Sequence, residues 1–423
     1  MPSKLPPAPT APALSVPSTP VGTVVLVLSA LLGIQPITTD LYLPALPALT
    51  DGFGAPMAQA QLTLTALLLA FGLSQLVWGP LSDRFGRRPV LLVGLVAYIV
   101  AATGSALAAS MDLLIVWRTL QGAAMGASVM GARAIIRDLY APSEGARILS
   151  KALSGLGLIA CLSAPLGGLL AGLFSWRIAL LALAVFGAAT LVLVVWKFKE
   201  TAACKNVRAL EPATLLRTWA MIARNPTFVA YSALSAESYG GLFTFLAASS
   251  FVFIQVLGFS TTHYGMLMFL MSFSYILGTF MCRRLLTLFG VRKAVALACF
   301  LTLGSGTAMG VLGLAGVSSG PYGGWAIMVP MVVFMLGHGV HQPCGQSGAV
   351  GPFPQAAGAA SALNGFLMMV VAFAMGGWLG IHLDGTVFPL TNGLWFWSIV
   401  IALSGWTLVQ KHGEPGRVAA GAT

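Results

Sequence analysis

The chain has 423 residues, 57% of them hydrophobic and only 8% charged, with a mean hydropathy of +0.89. Soluble domains carry roughly 25% charged residues, so most of this chain faces lipid or other apolar helices, and eleven acids with five histidines leave little room for a polar catalytic site. The formal charge of +11 does not point to nucleic acid, because the cations fall in short connections between apolar stretches, where they set topology and meet anionic headgroups.

Residues 1–20 are rich in Pro, Ala, Ser and Thr, hold one cation, Lys4, and lack a continuous apolar core. They read as a flexible tail and not as a signal peptide. A membrane-spanning helix needs about 20 mostly apolar residues. Twelve stretches qualify, starting near Val21, Gln61, Val90, Leu113, Lys151 and Ile178, then near Thr227, Tyr264, Ala294, Trp325, Ala359 and Leu390. Arg84, Arg87, Arg88, Arg137, Arg147, Lys151, Arg283, Arg284, Arg292, Lys293, Lys411 and Arg417 fall on one side of this layout. Arg177 is the main exception. With an even number of spans, both termini are expected on the cation-rich, cytoplasmic side.

The first span ends I-T-T-D-L-Y-L-P-A-L-P at 37–47. Asp40 is expected well inside a long helix that runs from Val21 to Pro44 and Pro47, where an acid can take up and release a proton as access alternates. The alternative is an interfacial residue at a helix end. Residues 79–89 read G-P-L-S-D-R-F-G-R-R-P. Gly79 and Gly86 permit a tight reversal, and Asp83 can accept from helix N-termini or from Arg84, Arg87 and Arg88. Such a cluster suits a latch between the two halves of the molecule, or else only fixes topology.

The fourth span carries R-T-L-Q-G-A-A-M-G-A-S at 118–128. Arg118, Gln121, Gly122 and Met125 share one helical face, and a charge at that depth normally faces a cavity or a partner. The alternative is an arginine reaching for the headgroups. In the fifth span, Pro165 favours a kink, while Gly167, Gly168 and Gly172 let a neighbour approach. The most polar interior stretch, 198–226, holds Lys199, Glu200, Lys205, Arg208, Glu211, Arg217 and Arg224 and reads as a linker.

Glu237 lies about 16 Å along the seventh span at 1.5 Å per residue. It can attract a cationic substrate, carry a proton, or sit neutral on a serine. G-T-F-M-C-R-R-L-L-T-L-F-G-V-R-K at 278–293 takes the place in the second half that 79–93 takes in the first, as a parallel repeat would. His338 and His341 can face a cavity together, although without nearby acids a metal pair is not expected. The five cysteines, Cys161, Cys204, Cys282, Cys299 and Cys344, have no C-x-x-C spacing, so neither a disulfide framework nor a zinc site is indicated.

The loop G-x-L-x-D-R-x-G-R-R resembles the signature between spans two and three of the major facilitator superfamily. R-x-x-Q-G resembles that superfamily's fourth-span motif, associated with proton coupling. Span five is similar to its antiporter motif, with Ala164 and Leu169 standing where the core G-P-x-x-G-G has its first and last glycine. T-D-L-Y-L-P-A-L-P, together with V-G-P-F-P-Q-A-A-G-A-A-S-A-L-N-G at 350–365, resembles the bicyclomycin/chloramphenicol-resistance (Bcr/CflA) drug:proton antiporters.

The resemblance implies an all-α membrane protein of twelve helices in two six-helix bundles, 21–197 and 227–410, joined by the linker 198–226, with tails at 1–20 and 411–423. It implies proton-driven efflux of amphipathic drugs or other xenobiotics across a bacterial inner membrane, by a monomer with no cofactor and no enzymatic step. Asp40, Arg118 and Glu237 are the candidates for proton coupling. A cavity between the bundles is expected to be lined by Tyr42, Gln121, Phe243, Phe245, Asn364 and Met368. The alternatives are a dedicated metabolite exporter or importer, or a membrane sensor that kept the fold without transport.

Overall fold

The computed structural model describes residues 20–140, 142–201 and 210–413. The tail up to residue 19, the linker positions Cys204, Lys205 and Arg208, and Arg417 lie outside the described residues. The first six spans are Val21–Asp40, Met57–Phe85, Arg87–Ala106, Met111–Leu139, Pro142–Leu173 and Trp176–Lys197. The seventh, Pro226–Ser250, continues through a π-helical turn at Phe251–Val256, and the last three are Gly323–Val350, Ala357–His382 and Phe388–Trp406. Between them runs Thr261–Leu314, 54 residues long and too long to cross a bilayer once.

Gly290 divides that helix into spans eight and nine. Its φ of 73° and ψ of 176° are non-helical and lie where only glycine is at ease. Gly86, with φ 108° and ψ 160°, makes the equivalent break between spans two and three. The two breaks share the local sequence F-G-x-R, Phe85 to Arg88 and Phe289 to Arg292, and they give the internal repeat its structural content. Other helix starts are set by side chains that satisfy free backbone donors. Ser110 accepts from the amide of Leu113, Asn225 from Thr227 and Phe228, and Ser260 from His263.

One expectation is refined at the end of span one. Asp40 is the last residue of the regular helix Val21–Asp40, although it lies inside the longer span Val21–Phe53. The chain then tightens into a 3-10 turn at Leu43–Ala45 and resumes as Leu46–Phe53, with Pro44 and Pro47 in first-turn positions, where a missing N–H costs nothing. The linker is also more ordered than its polarity suggests. Pro212–Ala223 is helical, packs on spans seven and eleven, and buries Ile222.

Span two packs on span four, span one on span five, and span three on spans four and six. In the second half, span seven meets spans ten, eleven and twelve. The halves meet along two seams, span two with span eleven and span five with span eight. Exchanging the halves maps one seam onto the other. At the end away from the basic loops the seam between spans five and eight is closed by backbone. A Cβ on Gly168 would stand 2.6 Å from the Thr261 carbonyl oxygen, and one on Gly265 2.7 Å from that of Ala164. Gln61 also donates to the Ala247 carbonyl across that end. Toward the basic end, one side-chain hydrogen bond, 2.6 Å from Arg133 to Ser361, joins spans four and eleven.

The cation on the far side, Arg177, is held in place. Its guanidinium lies 4.1 Å from the Trp176 ring and donates to the Ala108 carbonyl.

Candidate functional site

Half-way along the spans, where the bundles face each other, lies a cavity of about 200 Å³. Span one contributes Gln35, Thr39 and Asp40 to its wall, span seven Tyr239, and span eight Met271 and Tyr275. Span ten adds Met335, His338 and Gln342, and span eleven adds Met368. Asp40 is the one carboxylate in this lining, and the lining holds no Lys or Arg. Its Oδ1 accepts from the Thr39 hydroxyl at 2.8 Å. Among the described residues no cation pairs with it; the three ion pairs found within 4.0 Å lie elsewhere.

Arg118 is fully buried, directly behind this wall. Its guanidinium donates to Gln121 Oε1 at 2.8 Å and to the Thr38 carbonyl at 3.2 Å, and it stands 4.1 Å from the Tyr42 ring. The spacing of three residues that puts Arg118 and Gln121 on one face is what lets them meet. Around them, Tyr98 bonds Thr38 and Tyr42 bonds Thr63, each at 2.6 Å. The arginine is therefore held by neutral groups, and it grips the backbone of span one two residues before Asp40. Its Nε has no partner among the described residues.

At the basic end, the turn after span two gathers three carboxylates that are far apart in sequence. Arg87 donates to Asp83 at 2.5 Å and to Asp138 at 2.7 Å, and Arg137 stands 3.6 Å from Asp83. Glu200, just beyond span six, accepts from the backbone amides of Arg87 and Arg88 at 2.9 and 3.1 Å. A carboxylate on free N–H groups at the start of span three is favoured by their aligned dipoles. Glu200 comes so close to Gly86 that a Cβ there would lie 2.6 Å from Oε2. Arg84 stacks on Phe85, and Gly79 faces Met130. Asp83 is thus not a lone acid among arginines, and these contacts tie the loop within the first bundle. The reach to the second bundle is indirect, through Arg137 beside Gly358.

The family model described as Major Facilitator Superfamily matches residues 28–377. The chain belongs to that superfamily. It is 30% identical over 346 residues to Multidrug resistance protein D of Escherichia coli, covering 82% of this chain and 85% of that one. With the Bicyclomycin resistance protein homolog of Haemophilus influenzae it shares 24% over 389 residues, 92% and 96% of the two chains. The solved xylose transporter XylE from E. coli superposes with a TM-score of 0.71 at 14% identity, over 95% and 99% of the two chains. That likeness is one of fold. The protein is accordingly a multi-pass membrane protein of the superfamily's two-bundle architecture.

Within this superfamily frame the residues expected from sequence fall in different places. Asp40 and Met368 are on the cavity wall. Tyr42 and Gln121 belong to the Arg118 network behind it. Phe243 and Phe245 are buried in the second bundle, away from the lining, and Phe245 packs on Phe253. Asn364 accepts from Ser235 and contacts Met368. Glu237 points away from the cavity, accepting from Ser404 of span twelve at 2.7 Å, while its Oε2 has no partner among the described residues. His338 and His341 diverge. The first lines the cavity, bonds Ser238 and lies tilted against Tyr275, ring centroids 5.5 Å apart; the second bonds Thr302 of span nine. Pro165 lies inside the fifth span, and its neighbours separate in role. Gly167 meets the Leu41 carbonyl within its own bundle, and Gly168 meets Thr261 across the seam.

Sequence reasoning missed Tyr239, Tyr275 and the glutamines of the lining, and it missed Arg133. The available signal for Arg133 was its position, a cation four residues inside Arg137 on the fourth span, where charge is expensive.

Proposed function

We propose that this protein exports amphipathic small molecules across a bacterial inner membrane in exchange for protons, with the basic loops and both termini in the cytoplasm. The names of its relatives, a multidrug resistance protein and a bicyclomycin resistance protein homolog, support export of drug-like molecules. The observation that carries the reading is the single carboxylate, Asp40, on the wall of a largely apolar cavity at the junction of the two bundles. A pocket of this kind binds by shape and apolar contact with few fixed polar demands.

In this reading the bundles rock about the cavity and expose it to each side in turn. The proton and the substrate share access to Asp40, so loading one favours release of the other. Arg118 positions the acid by holding the Thr38 carbonyl, and any movement of span one relative to span four changes that grip. The ion pairs around Arg87 stiffen the first bundle at the cytoplasmic end, and the Arg133–Ser361 bond is broken when that end opens. Glu237, bonded to Ser404 inside the second bundle, is the fallback site for the proton.

Drug accumulation in cells with and without a protonophore tests this directly. Expression is expected to lower accumulation, and dissipating the proton gradient is expected to abolish that difference. Accumulation that expression never changes, or that stays low without a gradient, would contradict it.

A further inference from the structure

The four cysteines among the described residues are free and buried, and two of them meet. Cys282 of span eight and Cys344 of span ten are 62 positions apart in sequence, yet their Sγ atoms lie 3.9 Å from each other. Each residue is 2% exposed. The meeting follows from how the two spans pack. They run in the same direction, and glycines let their backbones touch. A Cβ on Gly278 would stand 2.6 Å from the Leu336 carbonyl oxygen, and one on Gly339 2.7 Å from the Gly278 backbone. About one helical turn further toward the basic end, the same faces carry Cys282 and Cys344.

Pro343 directly precedes one of these thiols inside span ten. It has no N–H to give to the Gly339 carbonyl four residues back, so the helix has a joint there. Beyond the joint, Gly345 and Gly348 pack on Tyr231 of span seven. Gln342 and Gln346 flank the joint on the cavity wall. Gln346 donates to Gln342, and Gln342 to the Ser235 carbonyl, each at 2.9 Å.

We propose that Cys282 and Cys344 form a reversible disulfide in response to hydroperoxides, and that this bond fixes residues 343–350 to span eight and arrests the carrier. A disulfide is about 2.05 Å long, so the sulfurs close by about 1.9 Å, a movement supplied by side-chain rotation and the joint at Pro343. One thiol takes an oxygen from the peroxide, becoming a sulfenic acid, and the peroxide leaves as an alcohol or water. The other thiol attacks that sulfur, the S–S bond forms, and water leaves. Two electrons pass from the sulfurs to the peroxide. A dithiol reductant reverses the bond through a mixed disulfide. Burial keeps bulky electrophiles out and makes a small, uncharged peroxide the effective oxidant. In a reducing cytoplasm such a bond is a transient response and not a permanent staple. It rests on the export reading for what is arrested, but not for the bond.

The test uses the purified full chain in proteoliposomes, with hydrogen peroxide as oxidant and dithiothreitol as reductant. Peroxide is expected to remove two of the five thiols, with peptide mass spectrometry showing Cys282 joined to Cys344. Amide hydrogen exchange in 344–350 should slow, gradient-driven export should be lost, and dithiothreitol should restore both. Cys282→Ser and Cys344→Ser, tested separately, should export at the wild-type rate with or without peroxide and show no slowed exchange. Absence of the linked peptide, export that continues once the bond has formed, or arrest that persists in either serine variant would overturn the proposal. If the bond forms and exchange slows while even the reduced protein exports nothing, the export reading falls and the lock stands.

Discussion

Arg118 shows how a single buried charge is made tolerable. It is fully buried with no acidic partner among the described residues, and its contacts are an amide, a backbone carbonyl and a tyrosine ring. Arg118→Ala is expected to abolish uphill export and to destabilise the first bundle, since losing one partner of a buried hydrogen bond costs about 1–3 kcal/mol. Arg118→Lys should not rescue it, because an ammonium cannot serve Gln121 and the Thr38 carbonyl with a planar fork. Export rates at equal membrane abundance check both, and full export by the alanine variant would remove Arg118 from the mechanism. The pairing of Arg118 with Gln121 was legible in the sequence because a three-residue spacing decides it. Its grip on Thr38 was not, because the two residues are eighty positions apart.

The same contrast runs through the loop acids. Asp83 is 39% exposed and Asp138 15%, and both bind the nearly buried Arg87. Exposed pairs are worth little, about 0–1 kcal/mol, whereas removing one partner of a buried pair strands the other charge. Asp83→Asn is therefore expected to slow transport mildly, and Asp138→Asn to slow it more and to lower the melting temperature further. Parallel transport and thermal-shift measurements on the two variants separate them. Equal effects, or a larger one for Asp83→Asn, would contradict this ranking.

Among the elements, the seam between spans five and eight is where sequence and structure agree in substance. The glycines around Pro165 announced a close approach, and Gly168 makes one to Thr261 across the bundles. Gly168→Leu is expected to prevent closure of the end away from the basic loops, because its side chain has backbone in front of it. The effect should be loss of export with retained membrane insertion. A pair of cysteines introduced on spans five and eight at that end should then crosslink less readily in Gly168→Leu than without it. Unchanged crosslinking and export would show that the seam has slack. Which face of each span lines the cavity was far less legible. A span between lipid and neighbours is apolar on both sides, so periodicity does not mark the inner face. Phe243 and Phe245 were accordingly expected at the cavity, and Tyr239, Leu242 and Leu246, on the same helix, are the residues found there.

At the scale of the whole molecule, composition and the placement of cations were enough to read twelve spans and one basic side. The Gly86 and Gly290 breaks then supply the repeat that relates the halves. The convergence of Asp83, Asp138 and Glu200 on one turn depends on tertiary packing, and no local pattern announces it. In the proposed cycle Asp40 exchanges a proton for substrate in a cavity reached from both sides. The most direct measurement of this exchange is proton release on adding a substrate to the purified, unbuffered protein, for the wild type, Asp40→Asn and Glu237→Gln. Saturable release is expected from the wild type and from Glu237→Gln, and none from Asp40→Asn although substrate still binds. Release that persists in Asp40→Asn and disappears in Glu237→Gln would move the proton to the second bundle and contradict a role for Asp40.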